Sequence, residues 1–158
     1  TRQVCRLTEI LDNTLALLER DFNKREIEVV KEFEGDHTVF CDPGQISQVI
    51  FNVLDNARHA MSGGGKLTIR IQSVENDEVI VVSDEGIGIP SDLLENVFEP
   101  FAARRNQTGT ERIGLGLSVA KTIMDSHEGT IEIESEVDKG TTVTIRLPQK
   151  HGQQEEAE

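Results

Sequence analysis

Residues 42–65 read DPGQISQVIFNVLDNARHAMSGGG. At about 100° per residue, Ile46, Val49, Ile50, Val53, Leu54, Ala57, Ala60 and Met61 share one wide apolar face, so the stretch is a helix laid on a core. Asp42 offers an N-cap acceptor and Pro43 takes the first helical position, where its missing N–H costs nothing. Gly63-Gly64-Gly65 ends the helix just past Met61. Beside the apolar face runs a narrow polar stripe of Gln45, Gln48, Asn52, Asn56 and His59. Asparagine is a poor helix former because its side chain competes for backbone hydrogen bonds. Two of them, at i and i+4 next to the buried face, need a reason. Either their amides cap neighbouring loops, or their oxygens face a cleft where a hard cation such as Mg²⁺, which takes few protein ligands, could use one. Phe51 falls outside both stripes, under a neighbouring loop or on a docking surface.

Working outward, Leu7, Ile10, Leu11, Thr14, Leu15 and Leu18 have helical spacing over residues 8–22. This stripe either packs on the same domain or continues a helix from upstream. Strands are expected at 27–33, where IEVVKEF alternates, and at 38–41. Others follow at 66–74 and 78–83 across an Asn76-Asp77 turn, and at 130–135 and 141–147 across Asp138-Lys139-Gly140. A short helix is expected at 91–97 and a longer one at 115–127. Residues 99–113 lack periodicity, and a loop of that length in a compact domain is functional or disordered. Hairpins separated by helices give an α/β fold with an antiparallel or mixed sheet and one helical layer on one face. The expected organisation is an N-terminal helix over 1–24, one domain over 25–148 and a disordered acidic tail over 149–158.

The run Val79–Ser83 ends in Asp84-Glu85-Gly86-Ile87-Gly88-Ile89-Pro90. Glycines allow close backbone approach, and a carboxylate at a strand end only accepts hydrogen bonds. Adenine presents an amine to such a group. Guanine presents a carbonyl there and would leave the carboxylate unpaired. Gly63-Gly64-Gly65-Lys66 is not a phosphate-binding P-loop, because the earlier glycine is missing and Leu67 follows the lysine.

The order Asn-x-x-x-Asn-Ala (52–57), Asp-x-Gly-x-Gly (84–88), Phe-Glu-Pro-Phe (98–101), Gly-Leu-Gly-Leu (114–117) and Gly-Thr-Thr (140–142) resembles the ATP-binding domain of sensor histidine kinases. That superfamily also includes DNA gyrase, the ninety-kilodalton heat-shock chaperone and MutL. The resemblance spans about residues 25–148, and five motifs in the right order are far more specific than any one alone. It implies a two-layer α/β sandwich with a mixed, mostly antiparallel sheet, binding ATP and Mg²⁺. It casts Asn56 as the Mg²⁺ ligand and places Asn52, His59 and Arg105 at the phosphates, where they form the catalytic set. Asp84 binds the adenine amine, with Gly86, Gly88 and Ile89 shaping the pocket. Phe98 and Phe101 anchor a lid. Gly114, Leu115, Gly116 and Leu117 bring a helix N-terminus, favourable for anions, to the phosphates. Thr142 in the last motif lies near the adenine. ATP-hydrolysing members carry Glu where Asn52 stands, and an amide is no general base, which favours transfer to a protein over hydrolysis. Two departures bear on the lid. Arg112 replaces the first glycine of the second glycine box, and Ala102-Ala103-Arg104-Arg105 stands where Phe-Thr-Thr-Lys is common.

The partners implied are a histidine-containing dimerisation domain of the same protein and a response-regulator receiver domain. None of His37, His59, His127 and His151 has the setting of a phosphoacceptor, so autophosphorylation is not expected of this chain. The readings left open are an ATP-hydrolysing or serine-kinase member of the superfamily and a non-catalytic nucleotide-binding module. The net charge of −13 over 158 residues excludes a general nucleic-acid binder. An anionic ligand still fits, because charges more than about 8 Å away are screened. Between Phe101 and Lys121, four basic residues face one acidic residue, Glu111. Cys5 and Cys41 make neither a disulfide framework nor a metal pattern, consistent with a cytoplasmic setting without direct membrane contact. A first residue other than Met points to a piece of a longer chain.

Overall fold

The computed structural model describes residues 1–99 and 113–149, with side chains at all of these except 113–115. The elements run β1 (Gln3–Arg6), α1 (Leu7–Lys24), β2 (Ile27–Glu32), β3 (Thr38–Cys41), α2 (Pro43–Ala60), β4 (Gly65–Val74), β5 (Asp77–Asp84), α3 (Ser91–Leu94), α4 (Ile113–Ser126), β6 (Thr130–Glu136) and β7 (Gly140–Pro148). Five strands form one sheet in the order β2-β4-β5-β7-β6. The β2–β4 pair is parallel and the other three pairs are antiparallel. Strands β1 and β3 make a separate antiparallel pair.

Side chains alternate across a strand, so every second residue of the sheet faces the helices. Leu67, Ile69 and Ile71 of β4, Ile80 and Val82 of β5, and Val143, Ile145 and Leu147 of β7 are buried with the apolar faces of α1, α2 and α4 in one core. Thr68 and Arg70 of β4 and Thr142, Thr144 and Arg146 of β7 have the opposite parity, and exposure alternates along both strands accordingly. The result is a two-layer sandwich with a mixed, mostly antiparallel sheet. Ile46, Val49, Ile50, Val53 and Leu54 of α2 are all within 2% of full burial, and each contributes about 1.5–3 kcal/mol by leaving water.

Helix α2 starts as its sequence dictates. Asp42 accepts from the N–H groups of Gly44 at 3.0 Å and Gln45 at 3.2 Å. The bond from Gln45 is the largest of the effects that hold its carboxyl below the usual range, followed by the neighbouring Thr1 amino group. The cap is itself tied to α4. The Asp42 N–H donates to His127 Nε2 at 3.1 Å, while His127 Nδ1 lies 2.9 Å from the Ile123 carbonyl oxygen. A backbone N–H can only donate, so Nε2 is the bare nitrogen and Nδ1 carries the proton.

The N-terminal stripe packs on this domain. Leu7 and Leu11 are fully buried in the same core as α2, and Arg58 of α2 pairs with Asp21 of α1 and with Asp55. Strand β1 was not foreseen. Its four residues are mostly exposed, and pairing with β3 alone defines it. Phe51 packs at the edge of the core. The expected helix at 91–97 reduces to Ser91–Leu94 followed by turns. The long loop and the acidic tail lie almost entirely outside the described residues.

Candidate functional site

Strand β5 ends at Asp84, whose side chain has the inward parity of Ile80 and Val82 and is only 9% exposed. Asp84 Oδ1 accepts from the Gly86 N–H at 2.8 Å. Thr141, its register partner on β7, donates a second backbone N–H. Burial pushes the Asp84 carboxyl above its ordinary value, with the two N–H donors opposing it. A buried carboxylate with a preference for a further donor is the property expected of an amine acceptor.

Asp84 lines a narrow cleft with a cavity volume of about 20 Å³, partly open to solvent. Val53, Ala57 and Ala60 of α2 and Leu117 of α4 form apolar walls, with Ile89 beyond the glycine motif. Flat apolar walls with a few fixed polar groups suit a planar heterocycle. The other polar groups are Thr141 and Asn56. Among the described residues, Asn56 Nδ2 is one of two buried side-chain polar atoms without a hydrogen-bond partner. The other is Arg58 Nε, whose terminal nitrogens are engaged by Asp21 and Asp55. An orphan amide facing a pocket is what a site completed by a ligand leaves behind.

The two asparagines thus divide the two readings between them. Asn52 caps a neighbour. It donates to the Gly116 carbonyl at 2.9 Å and accepts from Gln48 Nε2 at 2.8 Å, bracing α4 against α2. Asn56, one turn on, is held free. Gly116 lies over both, with the space for its absent Cβ only 3.6 Å from Asn52 Cβ and 3.8 Å from Asn56 Oδ1. His59 is turned back on its own helix, with Nδ1 2.8 Å from the Asp55 carbonyl oxygen, and it does not line the pocket.

The glycines support the pocket from behind. A Cβ on Gly86 would stand 2.5 Å from the Ala60 carbonyl oxygen, which already accepts the Ile87 N–H. Gly88 has φ +75° and lies against the Glu136 carbonyl, leaving no space for a side chain. The β6–β7 turn therefore braces the loop, and Asp138 N–H donates to the Ile87 carbonyl oxygen at 2.9 Å.

Of the expected site residues, Asn56, Asp84, Ile89 and Leu117 line one pocket, with Asn52 and Gly116 beside it. Gly114 and Leu115 belong to α4, without described side chains. Phe101 and Arg105, with Pro100 and Arg112, lie outside the described residues. Thr142 is not among the residues that line the pocket. Thr142 has the parity of the outer face and pairs its hydroxyl with Ser83 at 3.1 Å, whereas Thr141 lines the pocket. The signal was available, because Val143, Ile145 and Leu147 set the inward parity of β7 and Thr141 continues it. Ser135, which joins Ile89 N–H to Thr141, was also missed, because nothing in a strand residue's type reveals a cross-strand knot.

The sequence model of the "Histidine kinase-, DNA gyrase B-, and HSP90-like ATPase" family matches residues 41–151. The chain is 35% identical to sporulation kinase E of Bacillus subtilis over 151 residues, covering 94% of this chain and 20% of that protein. It is also 35% identical to the sensor histidine kinase ZraS of Salmonella typhi over 152 residues, covering 94% and 31%. Among solved structures, the nucleotide-free catalytic domain of the histidine kinase ThkA superposes with TM-score 0.81 at 28% identity, covering 94% of this chain and 96% of that one. ThkA in complex with the response regulator TrrA superposes with TM-score 0.78 at 28% identity, covering 94% and 42%. The chain spans a fifth to a third of the length of these curated relatives.

Proposed function

Because the chain belongs to the histidine kinase-, DNA gyrase B- and HSP90-like ATPase family, we propose that it is the ATP-binding catalytic domain of a sensor histidine kinase. In this reading it passes the γ-phosphoryl group of ATP to a histidine on a dimerisation domain. The observation that carries the reading is the pairing, in one pocket, of a buried acceptor-only carboxylate, Asp84, with Asn56, whose buried amide nitrogen has no partner. Asp84 would take the adenine amine between Val53, Ala57, Ala60 and Leu117, and Asn56 would stand toward the phosphates beside the N-terminal turns of α4.

Asn56 would offer Mg²⁺ one ligand, its amide oxygen, a donor type that suits a hard cation, with the nucleotide's own oxygens and water supplying the rest. Bound there, the ion would neutralise charge on the phosphates. Asn52 argues for transfer rather than hydrolysis. Both ends of its amide are engaged by Gln48 and Gly116, and an amide takes no proton from water at neutral pH. His59, Arg105 and Phe101 complete the proposed nucleotide-contacting set. The proposed partners are the histidine-containing dimerisation domain and a response-regulator receiver domain, with residues 25–148 as the nucleotide-binding unit. The proposed setting is cytoplasmic. No described helix is long and apolar enough to cross a membrane.

Calorimetric titration with Mg-ADP, Mg-ATP and Mg-GTP tests the site. Heat is the appropriate signal in a chain without Trp or Tyr. Binding of the adenine nucleotides and rejection of Mg-GTP is expected. Equal binding of all three, or of none by the folded protein, would overturn the assignment.

A further inference from the structure

Ser135 on β6 lies on the inward side of its strand, directly opposite Thr141 in the register. Its hydroxyl has three neighbours. The Ile89 N–H donates to Ser135 Oγ at 2.8 Å. Ser135 Oγ lies 3.1 Å from the Gly140 carbonyl oxygen. Thr141 Oγ1 is 2.8 Å away. A serine hydroxyl has one proton and two lone pairs. The Gly140 oxygen can only accept, so it takes the serine proton. The Ile89 N–H can only donate, so it takes one lone pair. The remaining lone pair makes Thr141 the donor. The Thr141 proton is thereby committed to Ser135, and the lone pairs of Thr141 Oγ1 are left for the pocket that Thr141 lines beside Asp84.

We propose that Ser135 is a specificity-determining positioning residue. By fixing the direction of the Thr141 hydroxyl, it makes the base pocket present acceptors alone, so that a 6-amino purine is taken and a 6-oxo purine refused. This rests on the reading of the pocket as an adenine site. Asp84 alone would disfavour an oxo group, but a freely rotating Thr141 hydroxyl could turn its proton toward that group and rescue it. Ser135 removes the option. Through Ile89 and Gly140 the same hydroxyl also spans the motif that follows Asp84 and the turn that supports it. The discrimination is therefore built into the knot that holds the loop.

The test is calorimetric titration of the full chain with Mg-ADP and Mg-IDP, whose bases differ in the 6-substituent and the protonation of N1. The wild type is expected to prefer ADP. In Ser135→Ala the ratio of the two affinities should fall about tenfold, the scale of one hydrogen bond made or lost, with IDP binding more tightly than to the wild type. Ser135→Thr keeps the hydroxyl and should retain the wild-type ratio. Thr141→Val should weaken ADP selectively and narrow the ratio, because it removes an acceptor that the wild type offers to the 6-amino purine. A purely structural role predicts equal weakening of both nucleotides in Ser135→Ala, with the ratio unchanged, and that result overturns the proposal while the adenine reading stands. A wild type with no preference for ADP overturns the adenine reading and the proposal with it. If Ser135→Ala does not fold, Thr141→Val decides. Equal weakening of both nucleotides in that variant, with the ratio unchanged, refutes the role given to the hydroxyl, and a selective loss of ADP supports it.

Discussion

Replacing Asp84 by Asn separates the chemistry of the proposed base pocket from its architecture. The substitution keeps the shape and one oxygen, which can continue to accept the Gly86 N–H now held at 2.8 Å. The second oxygen becomes an NH₂ group, so a donor faces the purine amine where an acceptor stood. A hydrogen bond to a charged group contributes about 1.5–3 kcal/mol, which corresponds to affinity for Mg-ADP weaker by about 10- to 150-fold. The fold loses less as long as the remaining oxygen accepts, because the change then falls on the weaker of two backbone donors, Thr141, and leaves the Gly86 bond in place. Asp84 is buried and its carboxyl titrates above its ordinary value of 3.8. The folded state therefore holds the proton more tightly than the unfolded chain. Stability associated with the protonated carboxyl is fully present below pH 3.8 and is lost as pH rises through the folded value. Asn carries no such dependence, so the stability of the variant relative to the wild type should improve as pH rises through that window. The assay pairs urea unfolding across that pH range with calorimetric titration at neutral pH. A variant that binds Mg-ADP within about twofold of the wild type would remove Asp84 from base recognition. A variant that fails to fold would show that the carboxylate is architectural.

The same titration makes nucleotide binding by the wild type pH-dependent. Affinity for Mg-ADP should fall as pH drops through the raised Asp84 value, above 3.8, because the protonated carboxyl gives up its acceptor charge; calorimetry at stepped pH reads this directly. Asn52→Ala breaks the Gln48–Asn52–Gly116 chain and should cost about 0.5–1.5 kcal/mol in urea unfolding, with a further loss of ADP affinity as α4 shifts. His127→Ala leaves the Asp42 N–H and the Ile123 carbonyl without their partner in a site that is 4% exposed. That should cost about 1–3 kcal/mol, measured by urea unfolding, with little effect on ADP binding per folded molecule. Gly88→Ala forces a side chain onto a residue at φ +75° against the Glu136 carbonyl. The backbone term alone costs about 1–2 kcal/mol, and ADP binding should fall with it because Ile89 moves.

Much of this architecture was legible in the sequence because local rules and tertiary packing agree. Helix α2 illustrates it. Asp42, Pro43 and the apolar periodicity through Met61 each state the same helix, and the structure begins and ends it within a residue of that reading. The alternating strands of the hairpins were legible for the same reason. Strand β1 was not, since four exposed residues carry no period, and only β3 makes them a strand. The pocket was legible where a residue type is unusual for its element, as with asparagines on an amphipathic helix or an aspartate at the inward end of a strand. Which asparagine braces and which stays free was beyond the sequence, because that depends on where the Gly116 carbonyl lies. Thr141 and not Thr142 lines the pocket, and the two-residue period of β7 decides which threonine faces inward. Ser135 had no signal of its own; its role arises only when β6, β7 and the glycine motif meet.

Transfer of phosphate to histidine tests the central claim most directly. The chain would be incubated with ATP labelled on the γ-phosphate, Mg²⁺ and a separately supplied histidine-containing dimerisation domain. The account predicts label on that domain that is stable to base and labile to acid, absent with a His→Gln acceptor, and lost from the wild-type reaction when Asp84→Asn is used. Acid-stable label on serine, or rapid release of free phosphate with no label on the acceptor, would contradict it.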